Sequence, residues 1–167
     1  KYLMWLIQFE ATGYTKEVYT SNASKGKVKD PYTASFCGVG YDGVFNKTPY
    51  WKQAKRLWCN MLKRCYDPNY DSGYWGRGIT VDSRWLCFSN FLEDLPALGN
   101  FDDWLAGFEA GNLKYNLDKD LQVDGNKVYS KECCSFILES VNKAAGARNG
   151  KPYTKFNRDG QRITTSV

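Results

Sequence analysis

The segment of residues 49–66, PYWKQAKRLWCNMLKRCY, constrains the fold of this chain more than any other stretch. Pro49 stands where the first turn of a helix favours a proline. The apolar residues that follow recur at helical spacing, and they are Trp51, Ala54, Leu57, Trp58, Met61, Leu62 and Cys65. The basic residues fall on another side of the same helix, and they are Lys52, Lys55, Arg56 and Lys63. The pattern therefore predicts a helix with one buried face and one basic face.

The basic face has two interpretations, and the overall charge bears on both. It either contacts a polyanion or is a solvated face that keeps the protein in solution. The chain carries 23 Lys and Arg against 18 Asp and Glu, which gives a formal net charge of +5. This mild positive balance favours a polyanionic partner such as nucleic acid, without excluding the solvated face.

Length and composition place the chain among globular proteins. Its 167 residues suffice for one compact domain or two small ones with a real core. An aromatic content of 16% excludes a disordered chain. No run of eighteen apolar residues occurs, so the sequence predicts neither a transmembrane helix nor a membrane partner.

The six cysteines do not form a recognisable metal or redox motif. None is part of a CxxC pair, and several lie inside apolar runs. Buried free thiols in a reducing cytosol are therefore expected, rather than disulfides or a zinc site.

Residues 1–48 are predicted to form a small β region that resembles a barrel or a curled sheet. The stretches LMWLIQF and KEVYT read as strands joined by a TGY turn, and SFCGVGYDGVF reads as a further strand. A loop between them carries Lys25, Lys27 and Lys29. This lysine loop is either a phosphate contact or a solvated loop.

The region that follows the basic helix combines aromatic and charged residues. Arg77 stands between two glycines, close to Tyr70, Tyr74 and Trp75. Such a loop suits a nucleic-acid backbone, but it equally suits a loop that packs its own aromatic rings. Carboxylates then predominate in residues 93–109, which predicts a solvated face directed away from any polyanion.

The stretch NLDKDLQVDGNKVYSKECCSF contains the densest set of polar residues. It predicts a strand at 117–123, a turn at 124–126 and a second strand at 127–129. Ser130 and Glu132 then suggest a helix that runs from Cys133 to about Ala145. The expected unit is a hairpin followed by a helix.

Three stretches together resemble phage-encoded proteins related to HNH homing endonucleases. They are WCNMLKRCYDPNY at 58–70, YWGRGITVDSRWLCFSNFLEDL at 74–95 and LDKDLQVDGNKVYSKECCSFI at 117–137, and they lie within the segment 51–142, which is about half of the chain. The resemblance implies an α+β protein with a helical central region and a ββα-metal unit within residues 49–145. It also implies double-stranded DNA as partner and the cytoplasm of an infected bacterium as location.

The resemblance assigns roles to four residues of the hairpin. Asp118 matches a ligand of Mg²⁺ or Mn²⁺, Asn126 matches the asparagine that braces the turn, and Cys133 lies near the second metal ligand. Lys119 replaces the histidine that acts as general base, so the catalytic set becomes Asp118, Lys119 and Asn126. Because a protonated lysine cannot accept a proton, and because a positioned base contributes about 10²–10⁴-fold, cleavage is expected to be weak or lost. Asp118, Asp120 and Asp124 form an alternative metal-binding set.

Residues 146–167 are predicted to form a basic hairpin that turns at Asp159 and Gly160, and they faintly resemble the opening strands of an Apetala-type DNA-binding domain. The predicted DNA contacts of the whole chain are Lys52, Lys55, Arg56, Lys63, Arg77, Lys119 and Lys127. The alternative is a phage protein that inhibits or supports a host or virion protein through the same scaffold. The aromatic residues of the 70–75 loop would then anchor a protein interface.

Overall fold

The chain has an α+β fold, built from short helices and two-stranded sheets. The computed structural model describes residues 3–70, 77–112, 114–120, 125–146, 155–156 and 162–163. The strands are β1 (Met4–Gln8), β2 (Thr15–Tyr19), β3 (Thr80–Val81), β4 (Tyr115–Asp118), β5 (Val128–Tyr129), β6 (Ser135–Leu138), β7 (Lys155–Phe156) and β8 (Arg162–Ile163). The helices are α1 (Thr20–Ala23), α2 (Trp51–Tyr66), α3 (Phe88–Asp94), α4 (Phe101–Glu109) and α5 (Glu139–Gly146), with 3₁₀ turns at Ser83–Leu86 and Leu95–Ala97.

Helix α2 confirms the prediction from its periodicity and forms one wall of the core. Its buried residues are Ala54, Trp58, Met61, Leu62 and Cys65. These positions cluster on one side of the helix when successive residues are separated by about 100°. The opposite side of α2 therefore faces solvent.

Aromatic rings fill the centre of the core. Three tryptophans are almost completely buried, Trp58, Trp85 and Trp104, and they pack among Phe88, Phe91 and Phe136. The Trp58 indole N–H donates to the Trp85 carbonyl at 2.7 Å, so that its polar atom is satisfied inside the core. Trp104 stacks on Phe136 with 5.0 Å between ring centroids, which joins α4 to β6.

The predicted barrel at the N-terminus is wrong for the residues described there. Strands β1 and β2 form a two-stranded antiparallel hairpin with Met4 opposite Tyr19 and Gln8 opposite Thr15. The stretch predicted as a third strand makes isolated bridges, Phe36 with Gly40 and Tyr41 with Cys87.

The segment of residues 36–45 instead covers the core. A Cβ atom at the buried Gly40 would lie 2.4 Å from Leu62 Cδ1, so glycine permits a close approach of this segment to α2. Phe36, Val39 and Phe45 pack against the same core. Packing therefore crosses the predicted boundary at residue 48, and the segment is held by α2 rather than by a sheet.

The pairing of the strands corrects the predicted hairpin. Strand β4 pairs antiparallel with β6, with Asp118 opposite Ser135. Strand β5 pairs parallel with β3, with Val128 opposite Thr80, and does not pair with β4. Residues 121–124, which include Val123 and Asp124 of that prediction, lie outside the described residues.

The helix predicted from Cys133 is also wrong at its start. Residues 131–133 form a turn in which the Cys134 N–H donates to the Ser130 carbonyl at 3.0 Å. Strand β6 follows, and α5 begins only at Glu139. The cause is tertiary packing, because Phe136 is fully buried beside Trp104 and its N–H donates to the Gly99 carbonyl at 2.8 Å.

The C-terminal prediction is confirmed in its pairing. Strands β7 and β8 are antiparallel, with Phe156 opposite Arg162, while the turn residues Asp159 and Gly160 lie outside the described residues. Within the described part of the chain, no helix combines the length and the apolar character that crossing a bilayer requires.

Candidate nucleic-acid interface

Three cations form a row along the exposed side of α2. At about 100° per residue, Lys52, Arg56 and Lys63 fall within an arc of about 40°. This arc lies opposite the buried residues of α2, so the core fixes the direction in which the row points. Lys52 and Arg56 are exposed, and Lys63 is partly exposed. We call these three residues the basic stripe.

Lys55 does not belong to this stripe, although the sequence placed it among the DNA contacts. Its ammonium forms an ion pair with Asp42. It also lies over two core rings, 3.9 Å from the centroid of Trp58 and 4.4 Å from that of Phe88. Lys55 therefore ties the 36–45 segment to α2, and its charge is already paired within the protein.

Arg77 and Lys127 lie at a common end of the short parallel pair. They precede β3 and β5 respectively, and the Thr80 N–H donates to the Lys127 carbonyl at 2.8 Å. Both side chains are exposed. The Val81 N–H donates to the Tyr66 hydroxyl at 3.0 Å, which places this pair against the C-terminal turn of α2. The stripe and these two cations thus belong to neighbouring elements.

Lys119 occupies a different position from the one that the sequence suggested. Its side chain is 5% exposed, and its ammonium donates to Asp120 Oδ1 at 2.6 Å and to the Asn126 carbonyl at 2.8 Å. The Asn126 side-chain amide returns a bond to the Lys119 carbonyl at 2.9 Å. The lysine thus closes the loop between β4 and β5 and is not presented to a ligand. This geometry does not favour the predicted phosphate contact at Lys119, because the ammonium already has internal partners.

The other two hairpin residues have structural partners as well. Asp118 Oδ1 accepts the Asp120 N–H at 2.9 Å, which makes a local turn at the end of β4. Asn126 Oδ1 accepts the Val128 N–H at 3.0 Å. The predicted bracing role of Asn126 agrees with these bonds.

The donors around Asp118 do not suit a magnesium or manganese ion. Asp118 is engaged in a turn, the Lys119 ammonium lies beside it in the chain, and the Cys133 thiol is a soft ligand that hard cations disfavour. No group of three or more potential ligands is assembled among the residues that the structure describes. Asp124, of the alternative set, falls outside those residues.

The structure also brings together residues that the sequence did not single out. A groove of about 180 Å³ runs between α2 and the strands β4 and β5. It is lined by Gln53, Arg56, Leu57, Asn60, Met61, Arg64, Tyr115, Asn116, Leu117 and Tyr129. Three of these residues, Gln53, Asn60 and Arg64, recur at helical spacing. This periodic row of polar residues is the sequence feature from which the groove could have been predicted.

Comparison of the chain with protein-family models, with curated proteins and with solved structures gives no match. The support for a nucleic-acid interface is therefore the geometry of the chain alone. Of the seven predicted contacts, five remain on the surface, namely Lys52, Arg56, Lys63, Arg77 and Lys127, while Lys55 and Lys119 have internal partners.

All six cysteines are free thiols, but the prediction that they are buried holds only for Cys65, Cys87 and Cys134, while Cys37, Cys59 and Cys133 are partly buried. Burial raises the pKa of Cys134 to about 12 and that of Cys65 to about 11. At pH 8 both thiols are therefore protonated in the folded protein and react slowly.

We expect Cys134 to be alkylated much more slowly than its neighbour Cys133, which is only partly buried. The measurement is mass spectrometry of tryptic peptides after timed alkylation at pH 8. After unfolding without reductant, all six cysteines should react. Equal rates at Cys133 and Cys134 in the folded protein would contradict the burial of Cys134.

Proposed function

We propose that this chain binds double-stranded DNA through the basic stripe, as a relative of phage HNH proteins whose phosphodiester cleavage is weak or absent. The observation that carries the proposal is the position of the stripe directly opposite the buried side of α2. A helix anchored by five buried residues holds its three cations in a fixed row. Fixed rows of cations suit the regular spacing of backbone phosphates.

The neighbouring cations extend the proposed surface. Arg77 is exposed, and its neighbour Gly78 has a φ of +70°, a conformation that glycine adopts without strain. Lys127 is exposed at the same end of the parallel pair. Both are candidate phosphate contacts beside the C-terminal turn of α2.

The internal bonds of Lys119 support weak or absent cleavage. A general base must reach the attacking water and must accept its proton. The Lys119 ammonium instead donates inside the loop, to Asp120 and to the Asn126 carbonyl. We therefore propose binding without efficient hydrolysis.

A protein partner is the second candidate, and a different surface favours it. Leu3, just before strand β1, is 66% exposed, and Trp5 and Leu6 within β1 are 54% and 71% exposed. Adjacent exposed apolar side chains of this kind are typical of contact with another protein. The 70–75 loop that suggested this alternative from the sequence lies largely outside the described residues.

Charge reversal of the stripe tests the proposed DNA binding. We expect the combined change of Lys52, Arg56 and Lys63 to Glu to weaken duplex binding by at least about 10²-fold and to reduce the salt slope by about three. The fold should persist, because the buried side of α2 is unchanged. The measurement is fluorescence anisotropy of a labelled duplex at several salt concentrations, with a thermal melting curve for each variant.

The matched control changes three exposed lysines that are not part of α2, namely Lys16, Lys25 and Lys114, to Glu. This variant carries the same change in net charge and also tests one lysine of the 25–29 loop. It should keep most of the affinity. Equal losses in both triple variants, or unchanged binding by the stripe variant, would contradict the stripe as the DNA-binding surface. Binding to another protein that resists salt would support the second candidate.

A further inference from the structure

The groove between α2 and β4 lies immediately beside the basic stripe. Arg56 belongs to both, since it is a member of the stripe and also lines the groove. The arc of about 80° that begins at Arg56 on α2 also contains Gln53, Asn60 and Arg64. A strand of DNA that reached the stripe would therefore lie next to the groove.

The floor of the groove differs in chemistry from its rim. Met61, Leu117 and Tyr129 line the groove and are buried, so they form its floor, which is apolar apart from the Tyr129 hydroxyl. The rim carries partly exposed amide groups, from Gln53 and Asn60 on α2 and from Asn116 on β4. An apolar floor beneath a few converging polar groups is the usual construction of a small-ligand site.

The rim supplies the groups that recognise a nucleotide. Asparagine and glutamine side chains present a donor and an acceptor together, which matches the edge of a base. Tyr115 adds an aromatic ring to the lining, and Arg56 adds positive charge for a phosphate. A site for phosphate alone would not require three amides or an aromatic ring.

The size of the groove limits what it can hold. Its volume of about 180 Å³ is below the range of about 300–1,000 Å³ that is typical of sites for drug-sized ligands. A complete dinucleotide cofactor is therefore too large. A single base, with its sugar and phosphate at the rim, is the nucleic-acid fragment that suits this volume and lining.

We infer that the groove binds one unpaired nucleotide of the DNA that lies on the basic stripe. This inference rests on the proposed DNA binding and adds a preference for DNA with an extrahelical or single-stranded base. Such a base is already unstacked, so its entry into the groove does not require a base pair to be broken.

The test compares two labelled duplexes of the same sequence, one fully paired and one with a single unpaired adenine. We expect the unpaired adenine to strengthen binding by at least about tenfold at equal salt. Replacing that adenine by fluorescent 2-aminopurine should give a change in emission when the protein binds. The double variant Asn60→Ala and Asn116→Val should lose the preference and keep its affinity for the paired duplex.

These substitutions suit their positions, since alanine favours a helix and valine favours a strand. The single variant Gln53→Ala on α2 should reduce the preference in part, and it serves if the double variant does not fold. The matched control is Asn46→Ala with Asn112→Ala, two exposed amides outside the groove. It should behave as the unmodified protein.

The outcomes separate this inference from the proposed function. If the paired duplex binds in a salt-dependent manner but the unpaired adenine adds nothing, the groove does not bind a nucleotide, and the stripe is unaffected. A preference that survives in the groove variants would also overturn the inference. If neither duplex binds, the proposed function and this inference both fail.

Discussion

Replacement of Asp94 by alanine is expected to lower the free energy of unfolding by about 3 kcal/mol. Asp94 is only 2% exposed. Its carboxylate accepts the Arg84 Nε–H at 2.8 Å, the Trp85 indole N–H at 3.0 Å and the Lys131 ammonium at 3.1 Å. Removal of the carboxylate leaves the Trp85 N–H unpaired inside the core. Arg84 and Lys131 are nearly half exposed and can regain water, which limits the cost.

The neighbouring carboxylate provides the control. Glu93 accepts the same guanidinium at 2.6 Å, but its side chain is 70% exposed. An exposed ion pair of this kind contributes about 0–1 kcal/mol, so Glu93→Ala should have a small effect. Urea unfolding of both variants measures the difference. Similar midpoints for Asp94→Ala and Glu93→Ala would show that the buried carboxylate does not hold this part of the fold.

The same carboxylate predicts acid sensitivity. Burial by itself would raise the pKa of Asp94, but the bonds from Arg84, Trp85 and Lys131 outweigh it and hold the pKa below the ordinary 3.8. A depressed pKa contributes stability above the unfolded value, and that contribution disappears as the pH falls through the folded value. The stability difference between Asp94→Asn and the unmodified protein should therefore shrink below about pH 4.

Asp94 also shows what the sequence could not reveal. Residues 93–109 were interpreted as a solvated acidic face, and this is wrong for Asp94. Glu93, Asp102 and Asp103 are indeed exposed. A string of carboxylates does not indicate which member turns inward. The burial of Asp94 depends on Arg84 and on Lys131, and Lys131 is distant in the sequence.

Local periodicity predicted α2 correctly because a helix of sixteen residues repeats its apolar pattern several times. The four residues of β6 do not repeat a pattern often enough to be distinguished from the start of a helix. Their conformation is decided by pairing with β4 and by the place of Phe136 beside Trp104. Such contacts between distant segments are absent from a local pattern.

The candidate site, like the fold, could be predicted only where it depends on a local sequence pattern. The basic stripe follows from the helical spacing of α2 alone. The internal ion pair of Lys55 depends on Asp42, and the groove depends on how β4 and β5 pack beside α2. The sequence therefore indicated which cations share a helix face, and the tertiary structure decided which of them remain available.

The second large effect is expected at Lys119. Its replacement by methionine should lower the free energy of unfolding by about 1–3 kcal/mol and leave duplex affinity unchanged. Methionine retains an unbranched apolar side chain in the buried position but cannot donate to the Asn126 carbonyl or to Asp120. The measurements are urea unfolding and anisotropy of the labelled duplex at a temperature where both proteins are folded.

Lys127→Met is the matched control, because Lys127 is exposed near the end of the same loop. It should change stability by no more than about 0.5 kcal/mol and should reduce the salt slope of DNA binding by about one. Lys119→Met should therefore lose stability and keep its DNA affinity, whereas Lys127→Met should keep its stability and show a reduced salt slope of DNA binding. If Lys119→Met instead keeps full stability and loses DNA affinity, Lys119 faces the DNA and does not bond to Asp120 and the Asn126 carbonyl.

Lys119→His extends this prediction to catalysis, since the nucleases that the 117–137 stretch resembles carry a histidine at the corresponding position. Imidazole is shorter than a lysine side chain and does not place one atom against both Asp120 and the Asn126 carbonyl. We therefore expect this variant to be less stable than the unmodified protein and to nick supercoiled plasmid with Mg²⁺ or Mn²⁺ no faster than the unmodified protein does. Recovery of metal-dependent nicking would show that the position still faces a scissile phosphate. No gain of nicking is expected because the side chain at position 119 is directed inward, whereas a general base must reach the attacking water.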